Sequence, residues 1–299
     1  MKPFSVLPAR TIQSAVLSFI VLITFSSCSQ AELPASVEVT VKPSHTSLAT
    51  ATALPDPEPH WAALFRERDL DGCLVVYDQA ADRMLRYNPD ACAQAYYPVS
   101  TFKILNTLIG LDSGVVTGKD HVFEWDGVQR PVPEWNKDHS LETAFKNSVV
   151  WYYQELARQV GKERMQQYLD QVGYGNRQIG PLVDNFWLSG PLAISPDEQV
   201  AFLQRLYQND LPFSDDSMNL VKELMVIEAT PDYILRGKSG LNTSPSLNMG
   251  WLVGWLEQDG RTLFYATYVE SQFSNSRLAD ARYEITREAL RTLGLLAAD

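Results

Sequence analysis

Histidine, cysteine and positive charge are all scarce in this 299-residue chain. It has four histidines, three cysteines, and 25 lysines and arginines against 36 acidic residues, a formal net charge of −11. A nucleic-acid binder needs a basic stripe, and none is present, so nucleic acid is not an expected partner. The acidic balance speaks for solubility. There is no CxxC pair and no His–Cys grouping, which argues against a zinc site or any other metal centre. The histidines stand at 45, 60, 121 and 139, the first two in or beside the N-terminal leader, and no G-x-S-x-G elbow exists. Both facts count against a Ser–His–Asp triad. Gly237-Lys238-Ser239 resembles the end of a phosphate-binding loop, but Asp232 stands where that loop needs its other glycine. Long apolar runs are missing too. The longest, "AVLSFIVLITF" at 15–25, has 11 residues, too few to span a bilayer as a helix.

That short run has a meaning of its own. Lys2 and Arg10 precede it and the small residues "SSCS" follow it, which is the order of a secretory signal over 1–28. Cys28 sits where a lipoprotein would be cleaved and acylated, giving a lipid anchor. Ordinary cleavage near Ala31 would instead release a soluble periplasmic protein, and both readings stand. Residues 29–59 are rich in Ser, Thr, Ala and Pro and read as a flexible leader. The remaining 60–299 is long enough for one sizeable domain or two lobes sharing a core. Within it, Cys73 and Cys92 are either a disulfide or two buried thiols.

Strand signals lie at both ends of that region. "GCLVVYD" (72–78) and "RMLRYN" (83–88) read as a hairpin, and 233–270 as a meander of three strands. Between them the pattern is helical. "STFKILNTLIGLDSG" ends at Gly114, "SLETAFKNSVVWYYQELARQVG" at Gly161 and "KERMQQYLDQVG" at Gly173, while Ser195-Pro196 opens a capped helix. "ADARYEITREALRTLG" closes the chain as an amphipathic helix. The expected fold class is α/β of the α+β type. An antiparallel sheet flanked by helices is formed by both chain ends (60–95 and 228–299), and an all-helical lobe (96–227) is inserted between them. A cleft between the two is the expected place for chemistry.

The apolar stretch "PVSTFKILNTL" (98–108) places Ser100 three residues before Lys103. On a helix that spacing puts both side chains on one face. A free lysine has a pKa of ~10.4, so its neutral form costs about 4.6 kcal/mol at pH 7. An apolar pocket can supply much of that, and Phe102, Ile104, Leu105 and Leu108 offer one. A lone S-x-x-K is equally a surface lysine near a serine. Further along come "SVV" (148–150), "YGN" (174–176), "FWLSG" with Trp187, and "KSG" (238–240).

In this order and spacing, the motifs resemble those of the class D serine β-lactamases, the oxacillinase family. "VFEWDG", "WNKDHS" and "EITREAL" extend the resemblance over about 60–299. It implies a serine β-lactamase/penicillin-binding transpeptidase-like fold and hydrolysis of β-lactam antibiotics through a serine acyl-enzyme. Ser100 corresponds to the nucleophile. Lys103 corresponds to the lysine that takes up CO2 to become a carbamate (N6-carboxylysine), the base for acylation and deacylation. CO2 or bicarbonate is thus the only accessory implied, with no metal. Trp187 corresponds to the indole donor to the carbamate, with Val150 and Leu188 lining its pocket. Ser148 corresponds to the proton relay. Lys238, Ser239, Gly240, Leu241 and Arg282 correspond to substrate-binding positions, the backbone amides of Ser100 and Leu241 forming the oxyanion hole. The family usually has threonine where Ser239 stands. Serine keeps the hydroxyl. Tyr174 and Asn176 read as structural support and Trp135 as part of the rim. The alternative function on the same fold is a β-lactam sensor or penicillin-binding protein that acylates but deacylates slowly. Oligomeric state, substrate breadth and inhibitor sensitivity are not written in the sequence.

Overall fold

The computed structural model describes residues 57–244, 247–271 and 277–296. The signal segment with Cys28, and all but the last three residues of the expected leader, lie outside the described residues. Helix α1 (Glu58–Arg66) begins two residues before the leader was expected to end. Pro59 in its first turn needs no helical hydrogen bond there. Trp61, Leu64 and Phe65 form its buried stripe, the i, i+3, i+4 spacing of a core-facing helix.

Strands β1 (Asp71–Asp78) and β2 (Arg83–Tyr87) form the expected hairpin. The short helix α2 (Pro89–Ala93) follows, then a 3-10 turn (Val99–Phe102) running into α3 (Lys103–Asp112). Strands β3 (Val122–Phe123) and β4 (His139–Ser140) pair with each other. Then come helices α4 (Leu141–Lys146), α5 (Val150–Val160), α6 (Lys162–Val172), α7 (Pro196–Tyr207) and α8 (Asp215–Leu224). Strands β5 (Val226–Ala229), β6 (Tyr233–Ser244), β7 (Leu247–Gln258) and β8 (Arg261–Glu270) lead to the closing helix α9 (Leu278–Thr292).

The main sheet has six antiparallel strands in the order β2-β1-β8-β7-β6-β5. Both chain ends therefore build it, through the pairing of β1 with β8. Strand alternation sorts its side chains into two cores. Leu74, Val76, Leu252, Leu256, Leu263 and Tyr265 face α1 and α9. Cys73, Val75, Trp251, Val253, Trp255 and Phe264 face the central helices. Burial on both faces explains why β7 and β8 read as near-continuous apolar runs.

Two expectations need correction. The inserted segment is not all-helical, because the β3–β4 ribbon lies within it and β5 opens at Val226. The stretch from 140 to 161 is not one helix either. It breaks between α4 and α5, where Ser148 has φ 52°. Cys73 and Cys92 are free buried thiols, and the Cys92 thiol donates to the Tyr87 carbonyl at 3.2 Å.

Candidate active site

The 3-10 turn before α3 delivers the first pair of functional groups. Eclipsed i, i+3 side chains are a property of 3-10 geometry, and Lys103 Nζ donates to Ser100 Oγ at 2.8 Å. Lys103 is wholly buried. Burial, and secondarily the charge of Lys238, hold its pKa well below the usual lysine value. The same nitrogen lies 5.3 Å from the Tyr153 ring centre. Tyr153 shares a hydrogen bond with Thr107, one turn beyond Lys103, at 2.9 Å. Tyr153 was not singled out from sequence. Its signal was its position three residues after Val150, on the same face of α5.

Strand β6 delivers the second pair. Lys238 Nζ donates to Ser148 Oγ and, at 3.1 Å, to the Ser239 carbonyl. Burial first, then the nearby Arg282 guanidinium, pushes the Lys238 pKa down to about 7. Arg282 reaches in from α9, donating from Nη1 to the Gly240 carbonyl at 3.2 Å. Its Nε is buried and has no hydrogen-bond partner among the described residues. Among the described residues, strand β5 pairs with 234–236 of β6, and Gly237 N–H still bonds to the Met225 carbonyl at 2.7 Å. The stretch from 238 onward is the edge toward the serine turn. Gly240 permits that approach: a Cβ there would lie 2.6 Å from Val99 Cγ2. Ser239 is half-buried and Leu241 exposed on this edge, paired across β7 with Leu252 and Gly250.

Trp187 closes the site from below. Its ring stacks on Phe102 with centres 5.5 Å apart, and its carbonyl accepts from Val99 N–H at 2.9 Å. Val99 is held at φ 43°, a conformation costly for a β-branched residue. The Trp187 indole N–H is buried with no partner. Arg158 and Gln154 on α5 fasten this loop by bonds to Asp184, at 2.7 and 3.0 Å. Val150 at the start of α5 and Leu188 are both half-buried, and Leu188 packs against the central core. Asn176 behaves as a staple: it donates to the Pro191 carbonyl at 2.8 Å and accepts from Ala193 N–H at 3.1 Å. Tyr174 is buried edge-on to Phe102. Trp135 lies beside the loop that carries Ser148, its indole N–H donating to the Asn147 carbonyl at 3.0 Å.

The two serine–lysine pairs and Arg282 lie close enough for the charge of Lys238 to act on Lys103 and that of Arg282 on Lys238, and Trp187 packs on Phe102 between Ser100 and Lys103. Among the described residues no cluster of His, Cys, Asp and Glu is placed to hold a metal ion. The model of the penicillin-binding protein transpeptidase domain matches residues 72–291. The β-lactamase OXA-48 of Klebsiella pneumoniae is 43% identical over 231 residues, 77% of this chain and 86% of its own. OXA-2 of Salmonella typhimurium is 39% identical over 240 residues, 79% of this chain and 85% of its own. Among solved structures, the class D β-lactamase YbXI from Nostoc superposes with a TM-score of 0.76 at 44% identity, covering 79% of this chain and 99% of that one. FUS-1 (OXA-85) from Fusobacterium nucleatum gives 0.77 at 39% identity, covering 80% and 99%. On this sequence identity, this coverage and this arrangement of residues, the chain belongs to the class D β-lactamases, serine hydrolases of the penicillin-binding transpeptidase fold.

Proposed function

We propose that this protein hydrolyses β-lactams through an acyl-enzyme on Ser100, with a carbamate on Lys103 as the general base for both halves of the reaction. The observation that carries this reading is the contact between a wholly buried Lys103 amine and Ser100 Oγ. A lysine kept neutral has a free lone pair. That lone pair attacks CO2, forming an N–C bond and releasing one proton. The resulting anion needs a donor in so apolar a place, and the unpartnered Trp187 N–H supports that role.

Ser100 then gives its proton to the carbamate as its oxygen attacks the lactam carbonyl. As the C–N bond breaks, Ser148 relays the proton held by the carbamate to the departing nitrogen, which leaves the carbamate an anion again, while Lys238 orients the Ser148 hydroxyl through their hydrogen bond. Lys238 and Arg282 meet the substrate carboxylate, and the amides of Ser100 and Leu241 receive the oxyanion. Water, activated by the same base, releases the product and restores Ser100. The N-terminal pattern supports export to the periplasm.

A chromogenic cephalosporin tests the reading. Steady turnover is expected. After dialysis at acidic pH, which drives CO2 off the lysine, bicarbonate should restore the lost activity, with one CO2 of added mass on Lys103. Lys103→Ala should abolish turnover. A single stoichiometric burst would mark a sensor, and normal turnover by Lys103→Ala would overturn the carbamate.

A further inference from the structure

The geometry points to Trp135 as a positioning residue for Ser148, acting as a backbone clamp across the α4–α5 break. This rests on the reading of Ser148 as proton relay. Ser148 stands at φ 52°, which few residues with a side chain adopt unless their surroundings impose it. The end of α4 already turns the chain there: Ser148 N–H donates to the Phe145 carbonyl at 3.2 Å and Val149 N–H to the Ala144 carbonyl at 2.9 Å. What those bonds leave open is how the turn is tied to α5. Were the helix to run straight through, the Ser148 hydroxyl would turn away from Lys238.

Trp135 holds both sides of the break. Its indole N–H donates to the carbonyl of Asn147, the residue before Ser148, at 3.0 Å. Its own carbonyl accepts from the indole N–H of Trp151, three residues after Ser148, at 2.7 Å. The clamp is itself anchored. His139 is buried, and burial lowers its pKa, so the ring is neutral. Its Nε2–H donates to the Glu134 carbonyl at 2.9 Å, leaving Nδ1 to accept from Thr143 on α4 at 3.1 Å. On the other flank Arg130 forms two bonds to Asp126 and lies 5.7 Å from the Trp151 ring centre. Asn136 and Arg130 exchange two further bonds. The 3-10 turn Pro133–Trp135 is therefore a braced part, and a braced part can fix a serine that a flexible loop could not.

Trp135→Phe tests this, because it keeps the ring and removes the donor. Acylation, followed by rapid quench and intact mass, should slow about tenfold, the scale of one lost hydrogen bond, with substrate KM unchanged. In a Ser148→Ala background the same substitution should slow acylation no further. Trp151→Phe, which breaks the other half of the clamp, should show the same pattern. In both variants, amide exchange at 147–151 should quicken while α7 stays protected. A raised KM with unchanged acylation, or an equal additional loss in the Ser148→Ala background, would mean that Trp135 touches substrate directly and would overturn the clamp. Unchanged exchange at 147–151 would overturn it as well. A wild-type protein that never acylates would refute the proposed activity alone, and the exchange measurement would then decide the clamp.

Discussion

Lys238 and Arg282 set two positive groups side by side in a buried cleft, and the hydrogen bonds of Lys238 go to a hydroxyl and a carbonyl rather than to a carboxylate. Such a site is incomplete without an anion. With burial and Arg282 pushing the Lys238 pKa down to about 7, the empty site loses that ammonium as pH rises past neutrality. A bound substrate carboxylate favours the charged form and raises the pKa, so binding above pH 7 must take up a proton. Affinity for a carboxylate-bearing β-lactam is therefore full below about pH 7 and declines above it, by up to about tenfold per pH unit. A KM that is flat from pH 6 to pH 9 would show that Lys238 does not pair with the carboxylate. Each of S-x-x-K, SVV and KSG is weak alone, and it was their order and spacing together, through the family resemblance, that singled out Ser100, Lys103, Ser148 and Lys238, which the fold brings together in two pairs. The strain at Val99 was not legible: nothing about a valine signals φ 43°, which comes from the Trp187 carbonyl almost 90 residues away in the chain.

At the scale of elements, the critical contact is β6 against the serine turn. Gly240→Ala would set a methyl group 2.6 Å from Val99 Cγ2 and 3.3 Å from the Pro98 carbonyl. Either the strand or the turn must move, at a cost of about 1–3 kcal/mol for overpacking. Acylation should fall more than tenfold even at temperatures where the variant is fully folded, which circular dichroism and a rapid-quench assay would check together. The strands themselves were legible, since β1 and the three runs of 233–270 are short stretches rich in apolar, β-branched and aromatic residues bounded by turns. The break between α4 and α5 was not. The apolar positions of "SLETAFKNSVVWYYQELARQVG" keep a helical rhythm across it. Only Asn147-Ser148 followed by two valines hinted at a turn, which the backbone bonds of Ser148 and Val149 back into α4 form and the bonds of Trp135 and Trp151 brace.

For the whole molecule, the sheet separates two tasks. Its central-helix face supports the catalytic cleft, while its other face packs on α1 and α9 with Leu290 fully buried among Trp61, Leu64 and Ile285. Trp61 ties the two helices together through Thr292 at 3.1 Å. Leu290→Ala should cost about 2–4 kcal/mol of stability and leave kcat and KM of the folded protein unchanged at 25 °C. Urea unfolding and steady-state kinetics on one preparation would show whether the tasks divide so. A matching loss of activity would mean that α9 transmits its packing to Arg282. The α1 helix was the least legible element here. Its opening Glu58-Pro59 resembles the leader before it, and burial against α9 distinguishes it.

The ladder between β1 and β8 joins residues 71–78 to 263–270. A polypeptide emerging amino end first presents the hairpin of β1 and β2 with one side bare, and the matching strand, residues 263–270, arrives only after the whole of the intervening chain. Such distant pairing is slow to nucleate. The sheet can therefore close only late, so a chain truncated before Glu270 should remain open to proteases in its opening strands and its closing ones alike.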